Sequence, residues 1–149
     1  MWAIPRTLFD AFIYDYIDKQ ELALINYKAA IEILEKKVVE IPNDPRYHSS
    51  LGIAYAGLGK KEEAIKEGLK AEALLPISKD AMYGLGILQD LAIIYTMVGE
   101  SDLAIGQLDQ LLSIPSWFTP AWLGWEIRFA PLKSHPGYKE FLTKHTIDE

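Results

Sequence analysis

Apolar and small residues return at one spacing three times along this chain. Nine residues separate Tyr14 from Ala23, Tyr55 from Ala64 and Tyr95 from Ala104. Between these marks the polar residues gather on one side, as in Lys60, Lys61, Lys66 and Lys70 interleaved with Glu62, Glu63, Glu67 and Glu72. That is the pattern of a solvated helix face, with Glu62 and Lys66 as a supporting i, i+4 pair. No segment alternates apolar and polar residues with the period of two that a strand requires. The pattern predicts helices over 7–17, 19–39, 44–58, 60–74, 79–98 and 100–112, then short helices from Thr119 and Pro120 through Trp125 and from Ser134 and Pro136 to about His145.

The punctuation agrees. Gly59 and Gly99 fall where a paired helix needs a left-handed stop. Asp44 before Pro45 reads as an N-cap and a first-turn proline, and Ser78 as the cap of the helix from 79. Pro42, Pro76 and Pro115 end the second helix of each pair, because proline cannot continue a helix interior. Small side chains at Gly52, Ala64 and Ala71 allow close helix approach, with Leu51 and Tyr55 filling the seam.

The middle unit, PRYHSSLGIAYAGLGKKEEAIKEGLKAEALLPIS, is 34 residues long. Its Leu51-Gly52, Tyr55, Ala64, Ala71 and Pro76 resemble the tetratricopeptide repeat (TPR), and Leu91, Ala92, Tyr95, Gly99, Ala104 and Leu108 restate the pattern downstream. A fainter copy is Ala11, Tyr14, Ala23, Tyr27 and Ala30. The departures are specific. Thr7, His48 and Leu88 stand at the usual tryptophan position, Gly68 stands at the second-helix aromatic, and the tyrosines are 41 and then 40 residues apart. The first excess is seven residues, two helical turns that lengthen a helix without rotating its apolar face. The resemblance implies an all-α fold: a right-handed superhelix of three TPR-like antiparallel helix hairpins plus C-terminal capping helices. The single domain is read as 1–149, with units at about 4–42, 45–78 and 79–116 and a capping segment at 117–149. The stretch FAPLKSHPGYKEFL also resembles the tail that follows TPR units in prokaryotic multidomain signalling proteins.

In that family the first helix of each pair lines a concave groove. Carried onto this chain, the resemblance implies a partner-binding set of Phe12, Arg46, Ser49, Ile53, Gln89 and Ile93. Arg46 is the one clear cation among these positions, so the Lys, Arg and Asn clamp of chaperone-binding members is missing. The implied ligand is a protein or peptide segment.

Composition narrows the chemistry. Net charge is −6, which argues against a nucleic-acid partner, since phosphate binding needs clustered Lys and Arg. Cysteine is absent, which removes disulfides, thiolate metal sites and a thiol nucleophile. No apolar run approaches the ~18–20 residues needed to span a bilayer, and Asp10, Asp15 and Asp18 near the start do not read as a secretory signal. The expected compartment is the cytoplasm, with no membrane partner.

Gly57-Leu58-Gly59-Lys60-Lys61 has Ala54 and Lys61 where a phosphate loop needs Gly and Ser or Thr, and Gly84-Leu85-Gly86 lacks the third glycine of a dinucleotide site. His48, His135 and His145 show no i, i+4 metal-ligand spacing. His48 is expected to pack at an aromatic position, and the other two to lie at the surface or at caps. No catalytic residue, metal site or cofactor is expected, and the chain does not read as an enzyme.

Apolar residues are in surplus at both ends. Trp2, Leu8, Phe9, Phe12, Ile13, Tyr14, Tyr16 and Ile17 crowd the start; Trp117, Phe118, Trp122, Trp125, Phe129 and Phe141 crowd the tail. A soluble repeat array needs polar outer faces at its ends. The tail meets this need by folding over the last helix pair with Lys133, Lys139, Glu140 and Lys144 outward. The N-terminal end has no such cover, so its aromatics turn inward, or they dock on an upstream domain or on a second copy to form a homodimer. Two functions follow: a scaffold that binds a segment in the groove, or an oligomerisation or regulatory module of a larger signalling protein that docks through the aromatic end.

Overall fold

The computed structural model describes residues 4–146. It is all-α, with no strand among the described residues. The helices are α1 (Arg6–Tyr16), α2 (Gln20–Glu40), α3 (Pro45–Gly57), α4 (Lys61–Leu74), α5 (Ala81–Met97), α6 (Ser101–Leu112), α7 (Pro120–Trp125) and α8 (Tyr138–His145), with a 3-10 helix at Ile127–Ser134 between the last two. The 3-10 helix is a feature the apolar pattern did not reveal. Pro131 inside it removes a backbone donor and prevents a regular α-helix.

Three turns repeat in atomic detail. The amide of Lys19 donates to the Tyr14 carbonyl at 2.8 Å, that of Lys60 to Tyr55 at 3.0 Å, and that of Glu100 to Tyr95 at 2.8 Å. One residue earlier, Asp18, Gly59 and Gly99 donate to Asp15, Ala56 and Thr96. This double closure is the Schellman helix stop, which requires a left-handed residue. Gly59 and Gly99 have φ of 70° and 80°; Asp18 fills the same place at 57°.

The N-caps are also local chemistry. The Asp44 carboxylate accepts from the Arg46 amide, and the Thr119 hydroxyl from the Trp122 amide. The cap of α5 is Asp80 and not Ser78: the Asp80 carboxylate accepts from the Met82 and Tyr83 amides. The chain around Ser78 is instead held in a turn, with the Lys79 and Asp80 amides donating to the Pro76 carbonyl.

Helices that follow one another pack together: α1 on α2, α3 on α4 and α5 on α6. Further contacts join α2 to α3, α4 to α5 and α3 to α5. A Cβ on Gly52 would lie 2.9 Å from the Ala64 carbonyl oxygen and 2.7 Å from Ile94 Cδ1, and one on Gly68 would lie 2.8 Å from Ile94 and Leu91. A larger side chain at Gly68 would meet α5. The space is filled from α5, whose Ile94 is seated between two glycines.

Two apolar clusters result. One joins Leu8, Tyr27, Leu34, Leu51, Ile53 and Ile94; the other joins Leu88, Ile93, Leu108 and Leu111 to the tail residues Phe118, Leu123, Phe129, Leu132 and Phe141. Ile65 and Met97 touch both clusters. Phe118, Phe129 and Phe141 of the tail are buried against α5 and α6, and Lys133, Lys139, Glu140 and Lys144 point outward as expected, but Trp117 and Trp125 remain exposed.

His48 packs in the interior as expected, and His135 accepts from the Gly137 amide, but each histidine also meets a carboxylate. His48 is buried, with Nδ1 2.6 Å from Glu67 Oε2 and Nε2 2.8 Å from the Pro42 carbonyl oxygen. His145 and Lys144 both reach the Asp109 carboxylate on α6, and His135 lies 3.3 Å from Asp102. These contacts tie the tail to α6. Each histidine meets its carboxylate through the fold, which is why no local spacing disclosed it.

Candidate functional site

The six groove positions do not form one open surface. Ile53 and Ile93 are buried in separate clusters, and Ser49 is buried with its hydroxyl donating to Asp90 Oδ2 at 2.6 Å. Gln89 and Phe12 are half-buried. Arg46 is exposed at the start of α3, where its guanidinium is clipped to Asp44 at 2.6 Å. Ser49, Ile53 and Ile93 are therefore corrected from contact residues to interior ones: α5 packs on both α3 and α6, which closes the apolar positions off.

Beside α5 lies the 3-10 segment of the tail. Its Arg128 is half-buried, with the guanidinium carbon 5.6 Å from the centre of the Phe12 ring on α1. Arg128 Nε and one terminal nitrogen each donate to Glu126 at 2.8 Å. Burial opposes the charge on Glu126, yet its hydrogen bonds and attraction to Arg128 prevail, so its carboxyl lies below its ordinary pKa. Burial likewise opposes the charge on Arg128, and Glu126 overrides it, raising the guanidinium above its ordinary value. The two form a bidentate ion pair that holds its charge.

Between the tail and the first helix pair runs a cleft of about 600 Å³. One wall is Phe12, Asp15 and Tyr16 of α1 with Tyr27 of α2; the other is Glu126, Ile127, Arg128, Ala130 and Pro131; Met97 lies between them. Phe12 is the one predicted groove residue that lines it. The Tyr27 hydroxyl donates to Asp15 Oδ2 at 2.6 Å, and the Phe12 and Tyr27 rings meet edge to face at 6.3 Å. Burial, and then the bond to Asp15, push the Tyr27 phenol well above its usual pKa. It is a donor, not a base.

Behind this wall, burial raises the Asp90 carboxyl to about 6, against the opposing influence of the Ser49 hydrogen bond and the Arg128 charge. Tyr27, Glu126 and Arg128 are not among the expected groove residues, because their convergence depends on the path of the tail.

A second surface is the outer side of α1, where Phe9, Ile13, Tyr16 and Ile17 are 59%, 44%, 69% and 47% exposed. Trp2 lies outside the described residues. No helix among the described residues is long and apolar enough to cross a membrane, and no group of three His, Cys, Asp or Glu among them is placed to hold a metal ion. No family model, curated protein or solved structure matches the chain.

Proposed function

We propose that this chain is a non-catalytic interaction scaffold of the TPR kind, working in the cytoplasm, that binds a segment of another protein. The fold is a right-handed superhelix of three antiparallel hairpins closed by the tail helices. The threefold Schellman turn and the pairing of consecutive helices support this architecture. The observation that carries the function is the cleft between α1, α2 and the 3-10 segment. It has aromatic and aliphatic walls with a few fixed polar groups, the composition of a recognition site. The partner enters between the first helix pair and the tail, and does not touch Ile53 or Ile93.

The test uses two exposed wall residues whose replacement leaves the core intact. Tyr16→Gln with Ile127→Gln is compared with the parent in affinity capture from the native host. Loss of captured partners at unchanged thermal midpoint supports the cleft. Full retention by the folded variant removes it.

The exposed stripe Phe9, Ile13 and Ile17 favours a second reading, in which the chain is an assembly or regulatory module of a larger signalling protein. Light scattering after size exclusion separates the two. A dimer that Phe9→Glu with Ile13→Glu converts to monomer supports assembly through α1; a monomeric parent supports the cleft.

A further inference from the structure

We propose that the segment recognised by the cleft is basic, presenting an arginine between apolar neighbours, with its guanidinium on the Asp15 carboxylate. This rests on the reading of the cleft as the docking site and names the chemistry of its ligand.

The charges of the cleft leave one carboxylate unmatched. Three charged side chains line the cleft: Asp15, Glu126 and Arg128. Glu126 and Arg128 satisfy each other through two 2.8 Å hydrogen bonds, so they present no net charge. Asp15 is left over. Its Oδ2 accepts the Tyr27 hydroxyl, and among the described residues no Lys, Arg or His lies within ion-pair distance of it. A half-buried carboxylate with one hydrogen bond retains acceptor capacity for a fork-shaped cation. The chain's net charge of −6 draws cationic ligands toward it and repels acidic ones.

The aromatic wall fits the same ligand. Tyr16 is one residue after Asp15 and 69% exposed, and a guanidinium stacks favourably on such a ring. The fold already displays this contact from the other side, where Arg128 lies over Phe12. Ile127 and Pro131 on the opposite wall give the apolar neighbours of the ligand a surface to cover. A lysine would satisfy the charge but neither the fork geometry nor the stacking.

The experiment measures fluorescence anisotropy of three labelled heptapeptide pools. Flanking positions are drawn from Leu, Phe and Gly, and the central residue is arginine, citrulline or glutamate. Citrulline keeps the shape and removes the charge. The expected result is that the parent binds the arginine pool about tenfold more tightly than the citrulline pool, the scale of one charge-assisted hydrogen-bond pair, and the glutamate pool more weakly still. Asp15→Asn, which keeps an acceptor for Tyr27, abolishes the preference. Equal binding of arginine and citrulline pools, lost in Tyr16→Gln with Ile127→Gln, overturns the cationic ligand and leaves the cleft standing. An arginine preference that survives Asp15→Asn also overturns the assignment. Binding untouched by the wall variant, or no binding of any pool to the parent, overturns the cleft with it. Thermal midpoints of both variants confirm that folded proteins are compared.

Discussion

The Tyr27 ring rests against Gly57: a Cβ built on that glycine would lie 2.4 Å from the ring carbons Cε1 and Cζ. The ring is fully buried and its hydroxyl is fixed to Asp15, so it has no room to swing aside. This contact sets the distance between α2 and α3, and through Asp15 it also sets the wall of the cleft.

Gly57→Ala therefore destabilises the chain by about 1–3 kcal/mol, the cost of overpacking a filled site. Gly106 is the control. It lies within α6 with nothing within 4 Å of its Cβ position, so Gly106→Ala gains helix propensity of about 0.5–1 kcal/mol. Chemical denaturation midpoints should move in opposite directions. A neutral Gly57→Ala would show that the Tyr27 seat is soft.

Asp18 holds the left-handed place that glycine holds in the other two stops. Left-handed backbone is strained for a residue with a Cβ, and Asp18 is exposed at the turn between α1 and α2. Asp18→Gly is expected to raise stability by roughly 0.5–1 kcal/mol and the midpoint by about 2–4 °C. Gly59→Ala, where nothing crowds the new Cβ, should lose a similar amount from backbone strain alone. An Asp18→Gly chain that melts below the parent would mean the unit-one stop is held by something other than its backbone.

Most helix ends were legible because their causes are local. Asp44, Pro45, Thr119, Pro120, Gly59 and Gly99 act within a few residues of themselves, and the expected ends agree with the observed ones within about two residues for α1 to α6. Asp18 was within reach too, since it follows Tyr14 by the same four residues that separate Tyr55 from Gly59. The site was not legible. An apolar residue at an inner helix position, such as Ile53 or Ile93, has the same pattern whether it floors an open groove or is covered. Which holds depends on α5 and the tail, and the contacts that decide it, Arg128 with Phe12 and Ser49 with Asp90, span long stretches of sequence. The histidines make the same point: Glu67 lies 19 residues from His48, and Asp109 lies 36 from His145.

His48 links α4 to the turn before α3. Its ring is 2% exposed and both nitrogens face acceptors, the Glu67 carboxylate and the Pro42 carbonyl. A ring that only filled space would tolerate His48→Phe. With these contacts, the substitution strands a carboxylate and a carbonyl and costs about 1–3 kcal/mol. Adding Glu67→Leu to His48→Phe should recover part of the loss, and the double-mutant cycle measures the coupling. Additive costs would remove the link.

The burial of Asp90 makes stability depend on pH in an unusual direction for a carboxylate. Burial raises the folded Asp90 carboxyl to about 6, against an unfolded value near 3.8. Between those values the folded chain holds the proton more tightly than the unfolded chain. Stability from this group is therefore greatest below pH 4 and falls as pH rises through 6, by on the order of 2–3 kcal/mol. Asp109 acts oppositely. Lys144 and His145 hold its carboxyl below the ordinary value, so its contribution is present above about pH 4 and is lost as pH falls further. This carboxyl is largely solvated, and its part is small. Comparing the parent with Asp90→Asn cancels such background. The amide mimics the neutral carboxyl and still accepts from the Ser49 hydroxyl, so the two chains should be equally stable near pH 4. At pH 8 the variant should lead by on the order of 2 kcal/mol. Ser49→Ala sharpens the test. It removes the hydrogen bond that lowers the Asp90 value, so the pH-dependent loss should move upward from 6 and grow. Urea midpoints of the three chains across pH 4–8 read this directly. Parallel curves for parent and Asp90→Asn would mean that Asp90 is solvated and that the tail does not close over α5.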